Sequence, residues 1–200
     1  MRLITAGLIA TSLLTGPPVL SVAAHATVVS GTATFADEGP AGNPLMITGT
    51  ADNAAIADLD LGLDTPVTLD NFLTMTLTYP RFYLGRATDD IAMSFSFTGP
   101  GTGSGTLGGR GSATGYLLLA AGRISWDDPI DIDFTDGAVL SISLSDRGFI
   151  GGLFGTSETV HSNATLELTR GPATVPEPGS LALLGTGLVG LGLALRLRRG

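Results

Sequence analysis

Between Leu59 and Leu168 apolar residues recur at every second position, and this period of two restricts what the chain can fold into. Ile91, Met93, Phe95 and Phe97 alternate with Ala92, Ser94 and Ser96, and Met75, Leu77 and Tyr79 alternate with Thr74, Thr76 and Thr78. The pattern returns in Ile130-Asp131-Ile132-Asp133-Phe134, in Leu140-Ser141-Ile142-Ser143-Leu144 and in Ala164-Thr165-Leu166-Glu167-Leu168, and more weakly in Leu59-Asp60-Leu61-Gly62-Leu63. Successive side chains of a strand point to opposite faces, so such alternation marks half-buried antiparallel strands with one wet face. No segment between the termini offers an amphipathic helix of three turns. Asp136-Gly137 marks a tight turn between two strands. Some eight to ten short strands across 27–170 predict an all-β domain, an antiparallel β-sandwich or jelly roll. The chain has no cysteine, so neither a disulfide nor a thiolate metal site is available. A domain of this size buries about two thirds of its unfolded surface and needs no staple.

The stretch 99–115 interrupts the period. It holds eight glycines and five Ser or Thr in seventeen residues, the composition of a flexible loop or a weakly packed, glycine-rich edge. Gly103-Ser104-Gly105-Thr106-Leu107-Gly108 has the spacing of a dinucleotide fingerprint. That fingerprint works by opening a helix inside a βαβ unit. No helix can begin in Gly109-Arg110-Gly111-Ser112, so a polar segment is the better reading.

The two termini carry different signals. Arg2 is followed by an apolar run and then by Ala24-His25-Ala26, a small-x-small pattern with cleavage after Ala26. This describes an exported chain whose signal helix occupies 1–26. At the other end the eighteen residues 178–195 are uncharged, and Arg196, Arg198 and Arg199 follow. Eighteen helical residues rise about 27 Å, against a hydrocarbon core of about 30 Å. A transmembrane helix over 181–200, with its arginines on the cytoplasmic side, is expected. Residues 171–180 form the linker to it.

Immediately before this segment stands Val175-Pro176-Glu177-Pro178. A Val-Pro-Glu-Pro motif, a short apolar helix and a final arginine cluster, in that order over 175–200, resemble the PEP-CTERM sorting signal of Gram-negative, exopolysaccharide-producing bacteria. The resemblance implies export by the secretion machinery, transient anchoring in the inner membrane and processing near the motif by an exosortase-type transpeptidase. It implies nothing about 27–170, because such tails are joined to many unrelated domains. Pro176 and Pro178 hold the motif out of any helix, in the extended form a protease-like active site binds.

Residues 27–170 contain six arginines and seventeen acids, a formal charge of −11. That excludes a nucleic-acid footprint and disfavours anionic lipid heads. All ten basic residues of the chain are arginine, so lysine chemistry is absent, and cleavage at Ala26 leaves His161 as the single histidine. His161 is expected at an exposed strand or turn position. With no Gly-x-Ser-x-Gly elbow and no distinguished carboxylate pair, no catalytic residues are assigned and a non-catalytic protein is expected.

Two sets of residues are candidates for binding. Asp127, Asp128, Asp131, Asp133 and Asp136 form an acidic cluster in which Asp131 and Asp133 project from one face of a strand, about 6.5–7 Å apart at Cα. Such spacing makes Ca²⁺ the one candidate cofactor, although a solvated strand face explains it as well. Tyr79, Phe82 and Tyr83, with Trp126, are the candidate aromatic edge, and packing around Pro80 is the simpler account. The favoured function is a non-catalytic cell-surface or exopolysaccharide-matrix protein. The alternative is a carbohydrate- or ligand-binding module of the same fold, assisted by calcium.

Overall fold

In the computed structural model of the chain, residues 26–80, 84–116, 119–151, 157–173 and 185–188 are described. Six strands form one sheet in the order β10 (Arg147–Gly151), β7 (Leu119–Trp126), β6 (Gly103–Tyr116), β5 (Gly85–Gly99), β1 (Thr27–Asp37) and β3 (Leu59–Leu61). Five form the second: β2 (Met46–Ala51), β4 (Val67–Thr78), β11 (Ser157–Arg170), β9 (Val139–Leu144) and β8 (Ile130–Asp133). Every ladder between these strands is antiparallel, and an isolated parallel bridge joins Leu63 to Leu168. The all-β, antiparallel expectation holds.

The period of two becomes one core between the sheets. On β5 the residues Ala87, Asp89, Ile91, Met93, Phe95 and Phe97 face inward, while Thr88, Asp90, Ser94 and Ser96 are exposed. Met75, Leu77, Val160, Ala164, Leu166, Leu140 and Ile142 of the second sheet meet them. Phe72, Phe95, Phe97 and Phe134 form a ladder of rings with centroid separations of 6.4, 6.4 and 5.8 Å. These lie inside the range in which aromatic pairs add to their area burial. The indole N–H of Trp126 on β7 reaches the buried hydroxyl of Ser162 on β11 at 3.5 Å.

The glycine-rich stretch corrects the expectation of a loop or an edge. It is β6, a fourteen-residue strand hydrogen-bonded on both sides, to β5 and β7. Its missing side chains leave room for those of the facing sheet. A Cβ at Gly103 would stand 2.9 Å from Ile132 Cγ2, one at Gly105 3.0 Å from Ile132 Cγ1, and one at Gly111 would overlap Ile47 Cδ1. Glycine inside a strand often marks such close approach. No helix follows the fingerprint-like glycines, since the strand runs on through Tyr116.

At the β8–β9 turn the Gly137 amide donates to Phe134 O at 3.0 Å, and Gly137 takes φ +87°, so the turn expected at Asp136-Gly137 is present. Of the signal segment 1–26, residues 1–25 lie outside the described residues, as do the sorting motif Val175, Pro176, Glu177 and Pro178 and the arginines Arg196, Arg198 and Arg199. Of the expected transmembrane segment, 185–188 form one helical turn. No helix among the described residues is long and apolar enough to cross a membrane.

Candidate functional site

The register of the sheets brings both ends of the domain together. Thr27 pairs with Leu61, and Leu63 bridges to Leu168, so the start of β1 and the end of β11 share one neighbourhood. Ser30 pairs with Gly99, and the Thr135 amide donates to Thr102 O at 3.1 Å, which sets the β5–β6 hairpin and the β8–β9 turn at that same end. The fifteen residues of β5 separate this end from the opposite one by roughly 46 Å. After Arg170 the chain passes over the β8–β9 turn, where the Ala173 amide donates to Asp136 O at 3.0 Å. Four residues lie between Ala173 and Pro178, so five Cα-to-Cα steps separate the two. Fully extended, they reach about 17 Å at most.

The acidic residues singled out from sequence are divided among four places. Asp131 and Asp133 are exposed on β8, opposite Ser141 and Val139. Asp136 serves its own turn, its Oδ1 accepting from the Ala138 amide at 3.1 Å. Asp127 lies across from them in a groove of about 420 Å³ on the other sheet, with Glu38, Asp90, Arg110 and Ser125. There Arg110 Nε donates to Asp90 at 2.8 Å, and that bond with the Asp90 charge holds the guanidinium above its ordinary pKa. Asp128 is exposed beyond β7. Among the described residues no group of three His, Asp or Glu side chains is placed to hold a metal ion.

The aromatic candidates separate as well. Tyr79 and Trp126 are buried in the core at 8% and 9% exposure, so neither ring is a platform for a ligand. Burial, and then the charge of Glu158, raise the Tyr79 phenol above its ordinary pKa. Phe82 and Tyr83 lie outside the described residues. His161 is exposed on β11, its Nδ1 3.0 Å from Thr74 Oγ1, as expected of a strand residue.

Sequence reasoning passed over Asp146 and Asp89. Asp146, between β9 and β10, accepts from the Trp126 amide at 2.9 Å and from the Arg123 guanidinium. Burial opposes its ionisation, but those two donors outweigh it and hold the carboxyl below the usual range. Asp89 occupies a core-facing position on β5. An inward acid inside a period-two pattern was the signal that could have found it.

The family described as the PEP-CTERM protein-sorting motif matches residues 174–199. The chain carries a PEP-CTERM sorting motif. No curated protein and no solved structure matches the chain. The PEP-CTERM tail therefore begins one residue beyond Ala173, the residue tied to the β8–β9 turn. The motif implies an exported protein, transiently anchored in a membrane and processed by exosortase-type machinery.

Proposed function

We propose that this is a non-catalytic cell-surface or biofilm-matrix protein, exported by a Gram-negative bacterium and delivered by its PEP-CTERM tail to the exopolysaccharide layer. The observation that carries this reading is the short passage from the last strand to the tail. With Ala173 bonded to Asp136 and about 17 Å of chain at most before Pro178, only a short reach of chain joins the domain to the tail. The buried positions of Tyr79 and Trp126 also favour a structural role over sugar recognition, which ordinarily uses exposed rings.

Intact-mass measurement of the protein from its own host tests the reading. The expected mature chain begins at Thr27, ends within a few residues of Glu177, and is recovered with surface polysaccharide. A soluble product still carrying Arg199 would overturn the sorting assignment. Specific, saturable binding of one oligosaccharide on a glycan array would replace the structural role by the ligand-binding one.

A further inference from the structure

Asp89 stands on the core-facing side of β5 between Ala87 and Ile91, and is 2% exposed. Its Oδ1 accepts from Asn43 Nδ2 at 2.9 Å. Its Oδ2 is enclosed and has no hydrogen-bond partner among the described residues. Asn43 is held in place, because Nδ2 also donates to Thr88 O at 2.8 Å and Oδ1 accepts from the Leu45 amide at 3.2 Å. A second carboxylate is near. Asp37 pairs with Ile91 across the β1–β5 ladder, so its side chain lies on the inward face, diagonal to Asp89. Asp37 Oδ1 accepts from the Gly39 amide at 3.0 Å, and Gly39 packs so closely that a Cβ there would overlap the Asp89 carboxylate.

This arrangement is costly unless something positive joins it. Burial raises the Asp89 pKa, and the Asp37 charge, a hydrogen bond with the Asp37 side chain and the Asp90 charge raise it further against the opposing Asn43 hydrogen bond. A buried carboxylate oxygen without a donor costs the fold the desolvation of a charge. We propose that Asp37 and Asp89 hold a hard divalent cation, Ca²⁺ by ligand preference, beneath the chain between β1 and β2. Ca²⁺ takes oxygen ligands, both carboxylate and backbone carbonyl, and two carboxylates neutralise it. The enclosed Oδ2 accepts from no N–H among the described residues and can supply a ligand. The −11 charge of 27–170 concentrates cations around the domain. The site is separate from Asp131 and Asp133, which lie on the exposed face of β8. Its consequence is mechanical: residues 38–45 carry the chain from β1 in one sheet to β2 in the other, and the ion clamps that crossover.

The test uses the full-length chain in detergent, stripped with EDTA and titrated with CaCl₂ by calorimetry and by thermal melting. One equivalent is expected to bind with a Kd of about 0.1–1 mM, the range of extracellular calcium modules, and to raise Tm. Asp89→Asn should lose that binding, and in EDTA at pH 7 should melt above the wild-type temperature because a buried charge is gone. Asp37→Asn, a change at an exposed position, should weaken Ca²⁺ at least tenfold and serves if Asp89→Asn misfolds. Asp131→Asn should bind as wild type does. The proposal falls if millimolar Ca²⁺ gives neither heat nor a Tm shift, or if the shift is equal in wild type and Asp89→Asn. It falls equally if Asp131→Asn abolishes binding. A Tm that responds to lowered pH but not to Ca²⁺ would mean that the two acids share a proton and bind no metal.

Discussion

The backbone N–H of Ala173 donates to the carbonyl oxygen of Asp136, so the chain is still attached to the β8–β9 turn two residues before Val175. Ala173→Pro removes this donor and leaves every other residue in place. The expected outcome is a Tm close to wild type with faster tryptic cleavage after Arg170, followed by mass spectrometry of the released tail. Equal cleavage rates in the two proteins would show that the bond does not restrain the exit.

Arg196, Arg198 and Arg199 close the PEP-CTERM tail. Changing all three to Gln removes the cytoplasmic charge that opposes translocation of the apolar segment. In a host without the sorting enzyme, the wild-type chain should fractionate with membranes and the triple variant should appear partly in the soluble periplasmic fraction. Retention unchanged by the substitution would assign the stop to the apolar residues alone.

Gly122 on β7 lies beneath the ring of Phe149 on β10, its register partner. A Cβ at Gly122 would overlap both Phe149 Cζ and the carbonyl oxygen of Ser112, and a backbone atom cannot turn aside. Gly122→Ala should therefore cost about 1–3 kcal/mol in urea unfolding. Gly148→Ala on the neighbouring strand, where the nearest atom is Gly122 O at 3.8 Å, should change stability by less than about 0.5 kcal/mol. Similar effects at the two positions would sink the close-packing argument.

Asp146→Ala leaves the Trp126 amide and the Arg123 guanidinium without their acceptor. A loss of about 1–3 kcal/mol is expected from the amide. The Asp146 carboxyl is held below its ordinary pKa, so its contribution is present above the unfolded value and is lost as pH falls through the folded one. The stability gap between wild type and Asp146→Ala should accordingly be full at pH 7 and close in acid. A gap independent of pH down to about 2 would mean that the ionised carboxylate is not what matters.

The pH dependence at Asp89 has the opposite sign. Its raised pKa means that ionisation costs the fold, so its stabilising contribution is complete below the unfolded value and is lost as pH rises through the folded one. In EDTA, Asp89→Asn should exceed wild type at pH 7, and the two should converge below about pH 4, where both side chains are neutral. Equal denaturation midpoints at pH 7 would show that the buried charge is relieved by some other means.

How much was legible in the sequence can be judged strand by strand. Ile91–Phe97 and Leu140–Leu144 disclosed their strands because each has one dry and one wet face, and a period of two is a local property of such a strand. Asp136-Gly137 disclosed its turn because only a few residues accept the φ that Gly137 adopts. The tail could be read without any fold, since Val175-Pro176-Glu177-Pro178, the apolar stretch and the arginines act as linear signals. What β6 is could not be read. Its glycines resemble a loop until Ile47, Ile130 and Ile132 of the other sheet occupy the space they leave, and those contacts join residues far apart in the chain. The same is true of Tyr79 and Trp126, whose rings could equally cover a surface or fill a core. Only the packing of one sheet on the other decides, because burial is set by what arrives from elsewhere in the chain. Asp37 and Asp89 are the extreme case: 52 positions apart in sequence, they become diagonal neighbours through the β1–β5 register, a relationship no local pattern encodes.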